Sequence, residues 1–225
     1  MNVLTANYEI LTPISEGGIE ELKHIEKIGR VCYKSESRIT EDGESAKKFV
    51  STLIKAGHEA MIEHSSLSVK FTVDRGVSHE LVRHRIASFA QESTRYCNYS
   101  NDKFGNGINV IDINNGIFFD SKMKNMNSDA LITIIGEWGR AMEDAEKHYL
   151  KMIELGATPQ IARSVLPNST KTEITITANY REWRNFFKLR VPATAHPSMR
   201  EVTIPLLKEL KTLIPVIFDD INCEE

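Results

Sequence analysis

The sequence predicts an α+β fold, and three observations predict it. Segments of strict two-residue alternation, Ser65 to Val73 and Thr172 to Ala178, are interspersed with stripes of helical spacing. No internal repeat, low-complexity tract or composition break marks a linker. A chain of 225 residues is long enough to bury one sizeable core, so a single domain over 1–225 is expected.

The elements follow in order. Residues 3–11 read as a short strand or extended lead-in ending at Pro13. Ile19, Leu22, Ile25, Ile28 and Val31 then recur every three residues with charges between them, a helix. The polar stretch Ser35 to Gly43 is a loop. A second helix runs from Glu44 to Ala56, with Phe49, Val50, Leu53 and Ile54 as its stripe and Gly57 to close it. In Ser65 to Val73, Leu67, Val69, Phe71 and Val73 alternate with polar residues, a strand with one buried face. Arg75 to Arg83 is a short helix. Cys97 to Asn125 is rich in Asn, Asp and Gly, with one strand around Ile108 to Ile113. A long helix spans Ser128 to Leu155, capped by Ser128 and closed by Gly156, and serves as scaffold or subunit interface. Thr158-Pro159 opens a helix that stops before Pro167. Asn179 to Val191 is a helix, and His196-Pro197 opens the last, to Ile214.

Composition narrows the function. The profile, 41% hydrophobic and 26% charged, is that of a soluble globular protein. A net charge of −3 argues against nucleic acid as the main partner but permits a basic pocket for a small anion. The cysteines, Cys32, Cys97 and Cys223, are odd in number and scattered, which suits a reducing compartment. MNVLTANYEI lacks the basic region and apolar core of a signal peptide, and no stretch is apolar enough to span a membrane. Cytoplasm is the expected location.

The densest chemistry lies in Arg83 to Tyr96, RHRIASFAQESTRY. Arginine, histidine, hydroxyl, amide and carboxylate side chains crowd beside Phe89 and Tyr96. Arg and Glu are rarely buried unpaired, so this is no ordinary core strand. Guanidinium forks and short polar groups suit phosphate or carboxylate. In an extended segment Arg83 and Arg85 point one way and His84 the other. The segment GHEAMIEH carries His58 and His64 six residues apart, which fits neither a helical metal pair nor finger spacing, so no metal site is expected.

RHRIASFAQESTRY resembles the signature of the flavin-dependent thymidylate synthases, R-H-R, seven residues, then Ser, here Ser93. GHEAMIEH, ARSVLP, NYREWRNFFKLR and an AHP stand in the matching order, so the resemblance spans roughly residues 50 to 200. It implies an antiparallel sheet flanked by helices and a homotetramer whose active sites are shared between subunits. It implies FAD as cofactor, NADPH as reductant, 5,10-methylenetetrahydrofolate as carbon donor and dUMP as substrate, with no enzyme thiol attacking the uracil. By position, His58, Arg83, His84, Arg85, Asn179, Arg181 and Asn185 match flavin contacts. Glu80, Arg83, Gln91, Ser93, Thr94, Arg95, Arg163 and Arg190 match dUMP contacts, and Arg190 matches the residue that activates the uracil. The family often has Glu where Gln91 stands and Asn where Ala90 stands. Here the carboxylate falls one place later, so Glu92 joins the dUMP group. A neutral amide at 91 can bond a ribose hydroxyl but cannot act as a base.

The residue chemistry agrees with these roles. Arg95 and Ser93 can give charge-assisted bonds to a nucleotide phosphate. Arg190 stays protonated, so it stabilises negative charge on a pyrimidine but does not accept a proton. Asn179 and Asn185 lie six apart, off a shared helix face unless one is a cap. Two readings compete. One is a nucleic-acid module that stacks bases on Phe89, Tyr96 and Tyr99, with steep salt dependence. The other is a metal-dependent hydrolase built on His58, His64, His79 and His84, lost to a chelator.

Overall fold

A computed structural model describes residues 1–101 and 106–223. Part of the polar stretch, 102–105, thus lies outside the described residues. In chain order the elements are β1 (Asn2–Leu4), β2 (Asn7–Ile10), α1 (Ile19–Arg30), α2 (Glu44–Lys55), β3 (Ser66–Asp74), α3 (Arg75–Leu81), β4 (Ser88–Gln91), β5 (Asn109–Ile111), α4 (Asn114–Phe119), α5 (Ser128–Glu154), α6 (Pro159–Ala162), β6 (Lys171–Asn179), α7 (Tyr180–Arg190) and α8 (Pro197–Leu213). The fold is α+β. Its main sheet is antiparallel throughout, in the order β2-β3-β6-β4, and β1 pairs β5 in a small parallel ribbon.

The strand alternation becomes the core. Leu67, Val69, Phe71 and Val73 on β3 and Ile174 and Ile176 on β6 are buried. The register sets Val69 opposite Ile176 and Phe71 opposite Ile174, so both stripes fall on one face. That face packs on Trp183, Phe186 and Phe187 of α7 and on Leu206, Leu207 and Leu210 of α8. Each such side chain contributes about 1.5–3 kcal/mol by leaving water. Trp183 also donates its ring N–H to the Leu67 carbonyl at 2.9 Å, so the indole pins α7 to β3.

Two helices of the site start where central strands end. Asp74 closes β3 and caps α3, its Oδ1 accepting from the Val77 N–H at 2.6 Å. Asn179 closes β6 and caps α7, its Oδ1 accepting from the Glu182 N–H at 2.8 Å. These caps save the orphan N–H groups of each first turn and fix the direction of each helix.

Some expectations change. The short helix stops at Leu81 rather than Arg83, and Arg83 and His84 form a turn bonded back to Glu80 and Leu81. The cap of α5 is Asn127, whose Oδ1 accepts from Asp129 N at 2.7 Å, so Ser128 is the first helical residue. On α5 only Met142 and Tyr149 are buried, and Leu155 is 75% exposed. They join a second cluster with Tyr99, Ile108, Val110 and Ala162. The polar stretch also holds the helix α4. Its Gly116 lies against α8, where a Cβ would come within 2.9 Å of the Ser198 Oγ.

Candidate active site

The site centres on His84, which the turn after α3 drives inward while Arg83 and Arg85 stay exposed. The ring is 6% exposed and meets Phe186 edge-on at 4.9 Å. Its Nδ1 lies 3.0 Å from Glu182 Oε1. Its Nε2 accepts from Arg190 Nε at 3.0 Å. Burial, the largest cause, holds the imidazole below its ordinary value, against the opposing hydrogen bond to Glu182, and the Arg190 charge adds to the lowering. The ring is therefore neutral at neutral pH.

Arg190, the last residue of α7, is clamped from the other side by α3. Its Nη1 donates to Glu80 Oε2 at 2.7 Å and its Nη2 to the Glu80 carbonyl at 3.2 Å. The clamped guanidinium, Arg83, Arg85 and Leu189 line a cavity of about 610 Å³. A neighbouring cavity of about 480 Å³ shares Ile86, Glu182 and Asn185 with it and adds Asn179, Arg181 and Lys188. Asn179 and Asn185 thus line one cavity despite their spacing, because Asn179 is the cap and Asn185 lies on the helix. Arg181 is exposed and held by Glu63 at 2.5 Å. His58 is exposed on the turn that follows α2, just before Glu59, which lines the same cavity.

The continuation Gln91 to Arg95 leads to a third cavity, of about 520 Å³. Gln91 turns toward the sheet and donates to Ser78 Oγ at 2.9 Å. Glu92 accepts from Lys171 Nζ at 3.0 Å and from the Tyr99 hydroxyl at 3.2 Å. Burial and then this carboxylate push the Tyr99 hydroxyl well above the usual range. Ser93 Oγ accepts from the Arg95 N–H, Thr94 Oγ1 from Arg163 Nη1 at 3.2 Å, and Arg95 donates to Gln160. Thr94 and Arg163 line the cavity together with Arg75 and His79. The Nη1 of Arg75 is buried with no hydrogen-bond partner among the described residues. An unsatisfied cationic donor on a cavity-lining residue can bond an anion.

The expected nucleotide contacts therefore form two groups. Glu80, Arg83 and Arg190 belong to the first, and Ser93, Thr94, Arg95 and Arg163 to the second, with α3 between them carrying His79 and Glu80. The sequence reading missed Glu182 and Arg75. A glutamate in the first turn of a helix is ordinary, and only its buried partner marks Glu182. The strand-to-helix junction before Arg75 was legible, but not its unsatisfied nitrogen. Among the described residues no group of three or more His, Cys, Asp or Glu is placed to hold a metal ion.

Comparison with known proteins names this arrangement. The family model described as "Thymidylate synthase complementing protein" matches residues 19–216. The flavin-dependent thymidylate synthase of Corynebacterium aurimucosum is 30% identical over 214 residues, covering 93% of this chain and 83% of the relative. That of Mycobacterium sp. (strain JLS) is 31% identical over 205 residues, covering 87% and 78%. The crystal structure of the UMP/dUMP methylase PolB from Streptomyces cacaoi bound with 5-Br dUMP shares the fold, with a TM-score of 0.80 over 97% of this chain and 96% of that one at 22% identity. From the RHR turn, the two capped helices and these relatives alike, the chain belongs to the family of flavin-dependent thymidylate synthases.

Proposed function

We propose that the chain converts dUMP to dTMP by reductive methylation, with 5,10-methylenetetrahydrofolate as carbon donor and NADPH as the source of reducing equivalents for a bound FAD. The observation that carries this reading is Arg190, a permanent cation held rigidly by His84 and Glu80 at a cavity wall. The residues present fit the flavin. Arg83 and Arg85 offer donors to a diphosphate, Arg181 and Lys188 offer more on exchanging their partners Glu63 and Glu59 at the same cavity, Asn179 and Asn185 offer amides to ring edges, and Ile86 and Leu189 offer apolar surface. FAD, when bound, supplies the hydride chemistry, and the protein supplies position and field.

The chain's own residues then divide the task. Arg190 stabilises the negative charge that develops on the uracil. Ser93, Thr94, Arg95 and Arg163 take the nucleotide phosphate, with Arg75, whose Nη1 is unsatisfied among the described residues, beside them. Gln91 and Glu92 brace that segment against Ser78, Lys171 and Tyr99. Exposed apolar side chains flank the site, Ile86 at 72%, Tyr96 at 76% and Leu189 at 55%. With the two groups of nucleotide residues, they support a homotetramer whose sites are completed by a second copy. We read the whole chain as one domain working in the cytoplasm.

The test is dTMP formation from dUMP, with flavin, NADPH and methylenetetrahydrofolate each omitted in turn, for the wild type and for the triple variant Cys32→Ser, Cys97→Ser, Cys223→Ser. The reading expects product only in the full mixture and turnover in the variant within about twofold of wild type. Loss of all turnover in a folded triple variant would return a thiol to the mechanism.

A further inference from the structure

We propose that Glu182 is a positioning residue: it holds His84 in the tautomer whose bare Nε2 accepts from Arg190, and thereby sets the guanidinium at the cavity wall. This rests on the role given to Arg190 above. Arg190 Nε is a donor only, because a guanidinium does not give up its proton. A partner at 3.0 Å from it must be an acceptor, so His84 Nε2 carries no proton. The single proton of the neutral ring is then on Nδ1 and needs an acceptor of its own. The buried ring has little water to offer, and Glu182 Oε1 stands at 3.0 Å. Glu182 is itself 8% exposed and held in place, since Asn185 Nδ2 approaches both its oxygens at 3.3 Å. It lies in the first turn of α7, where the helix dipole favours its charge.

Without that carboxylate the proton can move to Nε2. Two N–H groups would then face each other, and the guanidinium would have to turn away. Glu80 would be left as its only clamp of the two. The chain Glu182, His84, Arg190 and Glu80 thus acts as one unit that joins both ends of α7 to the end of α3.

The experiment is ¹⁵N NMR of the histidine ring nitrogens in the protein without substrates, with His84 assigned by its loss in His84→Asn. It is followed by steady-state kinetics of Glu182→Ala and Glu182→Gln. The proposal expects the Nδ1–H tautomer at His84 in wild type and a mixture with Nε2–H in Glu182→Ala. It expects kcat to fall about tenfold or more in that variant with a smaller change in the KM for dUMP, and partial recovery in Glu182→Gln, which keeps an acceptor oxygen. An Nε2–H tautomer in wild type overturns the proposal whether or not the variants fold. So does an unchanged tautomer, or an unchanged kcat, in a folded Glu182→Ala. The NMR reading needs neither substrate nor flavin, so it stands apart from the assignment of function.

Discussion

Arg190 reaches two other elements at once, and what it touches predicts how it fails. Arg190→Ala removes three hydrogen bonds, to His84, to the Glu80 side chain and to the Glu80 carbonyl. The core below is untouched, so the fold and flavin content should hold. Loss of a charge stabiliser typically costs about 10²-fold or more in turnover. Steady-state dTMP formation checks this, and wild-type turnover would take Arg190 out of the mechanism. Ser93→Ala is milder. Its hydroxyl accepts from the Arg95 N–H and stands free to bond a phosphate, so dUMP binding should weaken by about 1–3 kcal/mol, measured by calorimetry. A pH effect follows from His84, held below 6.5 by burial and by Arg190. As pH falls from that value, the unfolded chain takes up the proton first. The stability is therefore complete above about pH 6.5 and is lost as pH drops through the lowered folded value. Denaturation at roughly pH 7.5 and 5.5 should show this loss, and His84→Gln should show less of it.

The elements of the site are held by caps at strand ends. Asp74→Ala removes the bond to Val77 N and frees the first turn of α3, at a cost of about 0.5–2 kcal/mol in stability. Because α3 carries His79 and Glu80, dTMP formation should fall further than stability alone explains. Thermal melts and turnover on one preparation separate the two. Much of this level was legible. The alternation of β3 and β6 gave strands, face and core, because period two has one burial solution. The stripe of α1 and the His196-Pro197 start of α8 were equally plain. The short helix α4 was not, since NNGIFF has weak helix formers and a glycine. Packing on α8 makes that helix, and local sequence does not report it. The long helix α5 was legible, but sequence could not say that most of its apolar side chains stay half-exposed in one chain.

At the scale of the molecule, the motif order carried the family and the residue types carried the chemistry. RHR and the NYREWRNFF helix meet around one pair of joined cavities, while the serine after RHR lies outside the lining of that pair. Their partners were not legible. Glu182 is distinguished only by His84, and Arg75 only by an Nη1 left unsatisfied among the described residues. Glu92, a carboxylate in a substrate motif, proves to be held by Lys171 and Tyr99. For Glu182 and Glu92 the deciding fact is a contact with a residue far along the chain, His84 and Lys171.

The most direct test is the visible absorption spectrum of the protein loaded with FAD, under anaerobic conditions, on adding NADPH with and without dUMP and then methylenetetrahydrofolate. A bound flavin spectrum should bleach faster when dUMP is present and return as dTMP appears. A protein that takes up no FAD, or whose reduced flavin persists with all substrates present, would contradict it.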